Sequence, residues 1–519
     1  MKIATSAQMR EIDHATIGEM RIPGLRLMEN AGKAVADKII EYFPNARSIG
    51  FFCGKGNNGG DGLVCARHLI QQSLSAEVFL LSKSDELKGD AKANLSAYLN
   101  LSPKPILVEI SNEEQLKQTV SILHNYDVLV DALLGTGTSG QIHGLTSLAI
   151  DVVNHTNKPI VSIDIPTGLD ADRGTTLGKC IKPVLTVTLG LPKIGLVTYP
   201  GAKHVGRLKI ADIGIPEKVI RDKHLFLNWM TDKEMALLLP HRDPDSHKGT
   251  YGHVMVLAGS PGFTGAAALT SLSALRSGAG LVTLGIPSSL QSLMATKLTE
   301  VMTLGLPETP KHFFDINAEP IILDFLYKAK VLAIGPGIST NEQTMALVRR
   351  LIQVSPRPMV IDADGLYAFS QDPSVCKLAK VPLILTPHPG EMARLTHSTI
   401  REVQGNRIGV AQKFSKEYNV YLVLKGSRTI IAEPGGQIYI NSTGNAGMAS
   451  GGSGDVLTGL ITGFLAQGLN PLESCILGTY LHGSAGDIAA DELTQFAMIA
   501  GDLITYLPKA IQQLQKLKE

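Results

Sequence analysis

The chain has 519 residues, of which 48 are lysine or arginine and 47 are aspartate or glutamate. This length is too great for one ordinary hydrophobic core and indicates two large domains or three. The balanced charge provides no electrostatic footprint for nucleic acid or a membrane surface, so we expect neither as a partner.

The cysteines and the N-terminus indicate the compartment. Five cysteines are scattered along the chain without a CxxC pair, which favours reduced core residues. The first residues lack the layout of a signal peptide, and no apolar run approaches the ~18 residues of a membrane span. We therefore expect a soluble, cytoplasmic enzyme.

Short β-branched runs alternate with helical patterns in the first half of the chain. Helices are predicted at 6–19, 30–42 and 62–71, and strands at 48–53, 77–81, 128–132, 160–163 and 185–189. This βαβ order predicts a mainly parallel sheet covered on both faces. The alternation stops at 214–232, so we place a domain boundary near 224 and expect domains at 1–223 and 224–519.

A second βα series follows the boundary. Strands are predicted at 253–257, 280–285, 331–334, 359–361, 383–385, 420–424 and 429–432, and helices at 265–277, 342–352, 405–417, 455–466 and 471–493. The predicted fold class is therefore α/β with two domains.

Polar, glycine-rich loops follow three of the predicted strands in the first domain. Loop 54–62 reads Gly-Lys-Gly-Asn-Asn-Gly-Gly-Asp-Gly, and segments 131–140 and 164–170 each begin with an aspartate. In an open α/β sheet the ligand crevice lies at the carboxyl ends of the strands, where these loops are expected.

The same strand ends supply oxygen ligands and an acid–base group. Asn58, Asp131 and Thr167 suit a hard cation. Asp164 then faces the ligand as an acid–base candidate. The alternative is that each aspartate only caps its own turn.

The most informative stretch of the second domain is 444–463. Its glycine-rich run ends at Asp455, where apolar residues begin to recur at helical spacing. Free N–H groups and partial positive charge at a helix N-terminus bind phosphate, and an aspartate beside them is suited to act as a general base. The alternative is an ordinary glycine-rich turn capped by Asp455.

Other motifs are expected on the same edge of the second sheet. They end or join predicted strands at 331–337, 360–365, 386–394 and 424–429. Lys425 adds a cation for phosphate, and the carboxylates of Asp362 and Asp364 are candidates for a divalent cation. Taken singly, His388 is as readily a structural loop histidine, Lys425 a solvated hairpin lysine and Asp364 a turn residue.

The first-domain motifs 5–13, 54–62, 131–140 and 164–170 resemble the NAD(P)H-hydrate epimerase family (the YjeF N-terminal domain), whose fold is a Rossmann-like α/β/α sandwich. The resemblance implies that Asn58, Asp131 and Thr167 bind potassium and that Asp164 is catalytic. It also implies that the hydrated dinucleotide is bound by Asn57, Asn58, Gly59, Gly60, Asp61, Gly135, Thr136, Gly137, Thr138, Ser139, Gly140, Gln141 and Asp164.

The second-domain motifs 258–266, 388–394, 425–429 and 444–459 resemble the ADP-dependent NAD(P)H-hydrate dehydratase branch of the ribokinase-like superfamily. The resemblance implies Asp455 as the catalytic base. Substrate would be bound by Ala266, Gly337, His388, Pro389, Gly390, Glu391, Met392, Ala393, Arg394 and Asp455. The adenine nucleotide would be bound by Lys425, Gly426, Ser427, Arg428, Thr429, Asn445, Gly451, Gly452, Ser453 and Gly454.

Together the two resemblances imply nicotinamide-nucleotide repair. One domain would epimerise the R and S forms of NAD(P)H hydrate, and the other would dehydrate the S form with ADP, giving AMP and phosphate. The implied cofactors are potassium and magnesium, with ATP as a possible replacement for ADP, and the implied assembly is a homo-oligomer.

Three other functions remain open at this stage. The main one is a ribokinase-like small-molecule kinase with an accessory nucleotide-binding domain. The second is a non-catalytic nucleotide sensor or scaffold. The third is an NAD-dependent dehydrogenase. It is disfavoured because neither half has a G-x-G-x-x-G turn that is followed by a ribose-binding acid at the expected spacing.

Overall fold

The structure, a computed structural model, describes residues 1–518. The chain divides into two compact units, the first at Met1–Leu225 and the second from Phe226 onward. The sequence prediction placed the break near residue 224, at the end of the first βα series.

The first unit is built on a sheet of seven parallel strands in the order β3-β2-β1-β4-β5-β6-β7. The strands are β1 (Ser48–Cys53), β2 (Ser75–Leu80), β3 (Leu107–Glu109), β4 (Val128–Ala132), β5 (Ile160–Ile163), β6 (Leu185–Leu189) and β7 (Arg207–Ala211). The helices are α1 (Ser6–Gly18), α2 (Gly24–Tyr42), α3 (Asn57–Gln71), α4 (Gly89–Leu99), α5 (Glu113–Val120), α6 (Gly144–His155), α7 (Ile194–Val197) and α8 (Glu217–Asp222).

The strand order of this sheet fixes where a ligand can bind. The central strands are buried on both faces, as their continuous apolar sequences predict. Order along the sheet reverses between β1 and β4, so the chain leaves these neighbouring strands in opposite directions. Such a reversal opens a crevice beyond the carboxyl ends of the two strands.

The second unit contains a ten-stranded sheet in the order β11-β10-β9-β12-β13-β14-β15-β16-β17-β8. The strands are β8 (Leu227–Trp229), β9 (His253–Leu257), β10 (Leu281–Pro287), β11 (Met302–Leu306), β12 (Val331–Ile334), β13 (Met359–Ile361), β14 (Leu383–Leu385), β15 (Tyr421–Leu424), β16 (Ile430–Ala432) and β17 (Ile438–Ile440). Pairing is parallel except at β15–β16 and β16–β17. The order reverses between β9 and β12.

Twelve helices accompany this sheet within the described residues. They are α9 (Asp232–Leu238), α10 (Thr264–Arg276), α11 (Gln291–Lys297), α12 (Glu319–Leu326), α13 (Glu342–Val354), α14 (Asp364–Tyr367), α15 (Pro389–Leu395), α16 (Ile400–Gly405), α17 (Arg407–Tyr418), α18 (Ser453–Ala466), α19 (Pro471–Ala497) and α20 (Ala500–Lys516).

Helices α10 and α18 pack together at backbone distance. A Cβ atom built on Gly459 would lie 1.9 Å from the Ser273 hydroxyl oxygen, and one on Gly463 would lie 1.9 Å from that of Ser277. Only glycine fits at these two positions of α18. The apolar residues that predicted this helix, among them Val456 and Leu460, are buried in the core.

The structure corrects two local predictions. Helix α3 begins at Asn57 rather than near residue 62, so residues 57–62 of the predicted loop 54–62 are helical. Glycine is required at position 59 because no side chain fits there: a Cβ on Gly59 would lie 1.8 Å from the Gly54 carbonyl oxygen. Likewise, the segment after His388 is helix α15, with His388 as its N-cap residue. The parallel α/β class predicted for both halves is confirmed.

Candidate active sites

The crevice of the first unit is a cavity of about 570 Å³. It lies where the loops after β1 and β4 separate, as the strand order requires. Of the residues predicted to bind substrate, it is lined by Asn57, Asn58, Asp61, Gly135, Thr136, Gly137, Thr138 and Asp164.

The other predicted substrate residues do not line this cavity. They are Gly59, Gly60, Ser139, Gly140 and Gln141. Gly60 faces helix α2 instead, because a Cβ there would lie 2.7 Å from the Met28 sulfur atom.

The three predicted cation ligands are brought together around Leu134. The Asn58 amide donates to the Leu134 carbonyl at 3.1 Å, and the Leu134 N–H donates to the Thr167 hydroxyl at 3.0 Å. That hydroxyl donates to Asp131 Oδ1 at 2.6 Å. Within residues 1–518, the buried Asn58 Oδ1 has no hydrogen-bond partner. A buried carbonyl oxygen with a free lone pair suits a hard cation.

Asp131 is the charged member of this group. Its second oxygen, Oδ2, accepts from the Ser162 hydroxyl and the Thr167 N–H, both at 2.8 Å. Burial raises the pKa of Asp131, and these hydrogen bonds act in the opposite direction by favouring the carboxylate.

Asp164 is fixed at the end of β5 with its backbone in the left-handed region, at a φ of 63°. Residues held in such conformations concentrate at functional sites. Its Oδ1 accepts from the Lys193 ammonium at 2.5 Å, and from the Thr188 hydroxyl and Leu189 N–H at 3.2 Å each. No residue of 1–518 donates to Oδ2, which leaves that oxygen available to a ligand in the cavity.

Sequence reasoning missed Lys193, and it quoted Asp13 only within a motif. Both line the cavity. Burial raises the pKa of Asp13 to about 6, with Lys193 lowering it and Asp164 raising it. Burial also raises the pKa of Asp61 well above its usual value, helped by Asp164 and Asp13. No local pattern distinguishes a functional Lys193 from a surface lysine, because its charged partner, Asp164, lies 29 residues away in sequence.

In the second unit, the N-terminus of α18 lies beside a buried ammonium group. Lys425 Nζ donates to Asp362 Oδ1 at 2.5 Å and lies 3.9 Å from Glu391 Oε2. A Cβ on Gly454, in the first turn of α18, would lie only 3.2 Å from that nitrogen. The ammonium and the helix N-terminus thus face the same space, as phosphate binding needs.

Asp455 lies in this first turn of α18. Burial raises its pKa to about 7, and the neighbouring Asp362 adds to the shift while Lys425 opposes it. A carboxylate with a pKa near neutrality is suited to accept a proton at physiological pH.

Asp362 does not remain open toward a divalent cation. Besides the Lys425 ammonium on Oδ1, its Oδ2 accepts from the Thr458 hydroxyl at 2.7 Å. Asp364 accepts from the Ser339 N–H at 2.9 Å. The sequence treated both carboxylates as candidate ligands, whereas the structure uses Asp362 to hold Lys425.

The predicted substrate residues Ala266 and Gly337 lie together where β9 and β12 diverge. The Gly259 N–H donates to the Pro336 carbonyl at 2.9 Å, and the Ser260 hydroxyl donates to the Gly337 carbonyl at 2.7 Å. Gly337 has a φ of 64°, and a Cβ there would lie 3.2 Å from that of Ala266.

His388 organises the start of α15. Its Nδ1 accepts from the Gly390 and Glu391 N–H groups, while Glu391 Oε2 accepts from the His388 N–H at 2.7 Å. Because Nδ1 is an acceptor, Nε2 is the nitrogen available to donate. The remaining members of this motif, Pro389, Met392, Ala393 and Arg394, lie on α15, with Met392 and Ala393 buried.

The predicted nucleotide turn 425–429 joins β15 to β16 and is braced by Arg407, which sequence reasoning missed. Arg407 donates to the carbonyls of Leu424, Lys425 and Ser427. Burial lowers the pKa of Arg407 to about 10. Arg428 packs against the Trp229 ring, with its guanidinium carbon 5.1 Å from the ring centroid.

The predicted segment 445–454 is held by partners on α19. Asn445 donates to Asp487 Oδ1 at 2.9 Å. His482, also missed by sequence reasoning, lies 2.9 Å from the Ser453 carbonyl oxygen. Burial lowers the pKa of His482 to about 4, so it is neutral at physiological pH.

Comparison with known proteins accounts for both units. A family model described as NAD(P)H-hydrate dehydratase matches residues 254–509, and one described as YjeF-related protein N-terminus matches residues 24–195. The bifunctional NAD(P)H-hydrate repair enzyme of Moorella thermoacetica is 45% identical over 519 residues, covering 99% of this chain and 98% of the relative.

The chain belongs to the bifunctional NAD(P)H-hydrate repair enzyme family.

The Thermofilum pendens member of this repair enzyme family is 37% identical, covering 99% of this chain and 97% of its own length. Among solved structures, the ADP/ATP-dependent NAD(P)H-hydrate dehydratase from Bacillus subtilis, co-crystallised with ATP and Mg²⁺, is 31% identical. It covers 55% of this chain and 98% of that chain, with a TM-score of 0.48. Family membership confirms both resemblances drawn from the sequence.

The described residues of this family member contain neither a membrane-spanning helix nor a preformed cluster of metal ligands. Among residues 1–518, none of the helices combines the length and apolar character needed to cross a lipid bilayer. Over the same range, no cluster of three or more histidine, cysteine, aspartate or glutamate side chains is placed to hold a metal ion.

Proposed function

We propose that this chain repairs hydrated nicotinamide dinucleotides, with an epimerase site in its first unit and an ADP-dependent dehydratase site in its second. One observation carries the dehydratase assignment. Asp455, whose pKa is raised to about 7, lies in the first turn of α18, where the Lys425 ammonium lies beside Gly454. A proton acceptor and a phosphate site are therefore adjacent.

The chemistry follows from this arrangement. Asp455 accepts the proton of the C6 hydroxyl of the S hydrate as that oxygen attacks the β-phosphate of ADP. Lys425 and the N–H groups of α18 stabilise charge on the transferring group. Phosphate is a much better leaving group than hydroxide, so elimination restores the 5,6 double bond and leaves AMP and phosphate.

Magnesium fits this site as a companion of the nucleotide. Mg²⁺ is usually bound by one or two carboxylates together with substrate phosphates. Asp362 is already engaged by Lys425 and Thr458. The nucleotide phosphates would therefore supply most of the ligands of Mg²⁺. Asp364, two residues after Asp362 in the sequence, is the carboxylate that would add to them. ATP offers the same phosphate chemistry, and we propose ADP as the preferred co-substrate.

The first unit is proposed to interconvert the R and S hydrates with potassium bound. Asn58 Oδ1, Asp131 and Thr167 would hold the ion, because the orphaned Asn58 oxygen and the Asp131 carboxylate are linked through Leu134. The ion would fix the loops after β1 and β4, which line the substrate cavity. Asp164, with Oδ2 free, is the proposed acid–base group.

Removing the Thr167 hydroxyl tests the potassium site. We expect Thr167→Val to abolish the potassium dependence of epimerisation and to lower its rate, because the Leu134 N–H and Asp131 both lose a partner. The measurement is the R-to-S rate with potassium, sodium or lithium chloride at equal ionic strength. Thr156→Val is the control, because the Thr156 hydroxyl donates to the Val153 carbonyl and accepts from the Lys158 N–H, both at the end of α6 and away from the predicted cation ligands. Potassium activation that survives Thr167→Val would refute the assignment.

The whole proposal is tested by recovery of absorbance at the reduced-nicotinamide band. A mixed R and S hydrate is supplied with potassium, magnesium and ADP. Complete recovery is expected. Recovery limited to the S fraction would refute the epimerase, and no recovery with either ADP or ATP would refute the dehydratase. Stable phosphorylation of an alcohol instead would support a small-molecule kinase.

A further inference from the structure

The cavity of the first unit contains more acid–base groups than the proposed role of Asp164 uses. Asp13 on α1, Asp61 on α3 and Asp164 after β5 all line it, together with Lys193 just before α7. Four elements distant in sequence therefore bring three carboxyl groups and one ammonium to a single space.

Lys193 is positioned to act on Asp164 rather than on a ligand. Its side chain is 1% exposed. Its ammonium donates to Asp164 Oδ1 at 2.5 Å, to the Leu189 carbonyl at 2.9 Å and to the Thr188 hydroxyl at 3.0 Å. An ammonium has three N–H donors, and all three are used here. Lys193 therefore fixes Oδ1 of Asp164, and Oδ2 is left without a donor among residues 1–518.

Inversion at C6 requires a second acid–base group. The departing hydroxyl and the incoming water are on opposite faces of the ring, and a single carboxyl oxygen reaches only one face. Asp13 is half-buried on α1, whereas Asp164 follows β5, so the two carboxyl groups reach the cavity from different elements. Its electrostatic neighbours are Lys193, Asp164 and His14.

We infer that Asp13 and Lys193 complete the epimerase site, with Asp13 as the proton donor that works with the Asp164 carboxylate, and Lys193 as the positioning residue for Asp164. This inference rests on the epimerase function proposed above. It assigns two roles to groups that the motif resemblance left without one.

The conversion of the R to the S hydrate exchanges water at C6 without a change of oxidation state, so it needs no redox partner. The C6–O bond breaks as the N1 lone pair forms a C6–N1 double bond, and Asp13 gives its proton to the departing hydroxyl, which leaves as water. Water then adds to the other face of C6 and gives a proton to Asp164. The newly ionised Asp13 stabilises the cationic ring between the two events. The reverse direction exchanges the two roles.

Burial that raises the pKa of Asp13 to about 6 is consistent with this donor role. Burial raises the pKa of Asp61 as well, so the two carboxyl groups are distinguished by the variants described below. The other titratable or charged groups that face Asp13 or share its cavity are Asp61, Asp164, Lys193, His14, Arg10, Lys55 and Asp90.

The test uses the full chain and pure R hydrate, without ADP, across a range of pH. Asp13→Asn is expected to lower R-to-S conversion by about 10²-fold or more and to remove the fall in rate at high pH. Lys193→Met is expected to lower kcat for R-to-S conversion with little change in KM, because Asp164 loses the donor that fixes its Oδ1, and Lys193→Arg is expected to restore part of kcat. Asp61→Asn, at a residue predicted to bind substrate, is expected to lower the rate at every pH but to keep the fall at high pH. Dehydration of S hydrate with ADP serves as the internal control, and Asp37→Asn, at an exposed carboxylate paired with Lys33, controls for lost charge.

Several results would overturn the inference. They are an Asp13→Asn protein that keeps its rate and its high-pH fall, loss of that fall in Asp61→Asn instead, and an unchanged kcat in Lys193→Met. If Asp13→Asn does not fold, epimerisation by the unsubstituted protein in isotopically labelled water still decides. Each inversion should place solvent oxygen on C6, and retention of the original oxygen would refute the step. An unsubstituted protein that does not interconvert the hydrates would instead refute the proposed epimerase itself.

Discussion

Replacing Asp455 by asparagine is expected to lower the rate of ADP-dependent dehydration by about 10²–10⁴-fold, the usual contribution of a general base. Asparagine retains the shape and the place of Asp455 in the first turn of α18 but cannot accept the proton of the C6 hydroxyl. The measurement is recovery of the reduced-nicotinamide absorbance from pure S hydrate with saturating ADP.

Epimerisation by the same Asp455→Asn protein should equal that of the unsubstituted chain, which controls for concentration and folding. Asp487→Asn is not a suitable control, because Asp487 holds Asn445 and the backbone of the nucleotide segment. Asp324→Asn, an uninvolved carboxylate on α12, is preferable. Near-normal dehydration by Asp455→Asn would show that another group removes the proton.

The raised pKa of Asp455 also sets a pH dependence. Because the base must be ionised, dehydration should increase with pH through about 7. Stability should change in the opposite direction: between 3.8 and about 7 the folded protein holds a proton on Asp455 that the unfolded chain has lost. This contribution is present below that window and disappears as pH rises through it. Urea unfolding followed at the single tryptophan, Trp229, should show that dependence reduced in Asp455→Asn.

The second large effect is expected at the buried ion pair of the dehydratase site. Lys425→Met leaves the Asp362 carboxylate, which is 1% exposed, without its cation. Breaking a buried pair on one side typically costs roughly 3–5 kcal/mol. The free energy of unfolding of the second unit should fall by that order, and dehydration should be lost together with the ammonium that is proposed to bind phosphate.

A double variant separates stability from catalysis at this pair. Lys425→Met combined with Asp362→Asn should regain much of the stability, because the buried Asp362 carboxylate is removed together with its cation and only the more distant Glu391 loses a partner, but it should regain no dehydratase activity. Lys509→Met breaks an exposed ion pair with Glu492 and is the matched control, for which little change is expected. A Lys425→Met protein as stable as the unsubstituted chain would contradict the structural role given to this pair.

Strand positions were predictable because parallel sheets bury nearly continuous apolar runs. Strands at 48–53, 128–132, 160–163, 253–257 and 331–334 agree with the structure to the residue. Short edge strands such as Leu107–Glu109 and Arg207–Ala211 were missed, because partly exposed residues carry no such pattern. Helix α15 was missed because its proline and glycine resemble a turn, although the proline occupies a position that a first helical turn tolerates.

The site was predictable where chemistry lies in one local motif, and not where distant groups act together. Asp455 follows from the glycine-rich run before it. The pairing of Lys425 with Asp362, 63 residues apart, and of Lys193 with Asp164, 29 residues apart, has no local signature. Each depends on which strands become neighbours, and that is decided by the whole sheet.

The glycine contacts between α10 and α18 fix the distance between the two helices. Ala266, proposed to bind substrate, lies on α10, and Asp455 lies on α18. Gly459 and Gly463 lie directly against the side chains of Ser273 and Ser277, so no side chain of α18 separates the two helices at these points. The distance between the helices is therefore set by the backbone of α18, which rearrangement of side chains does not alter. The distance between Ala266 and the proposed base Asp455 is thereby set by contacts that begin about one turn from Asp455 and about two turns from Ala266. A single methyl group added at Gly459 or Gly463 would push the helices apart and is expected to slow dehydration without itself contacting a ligand.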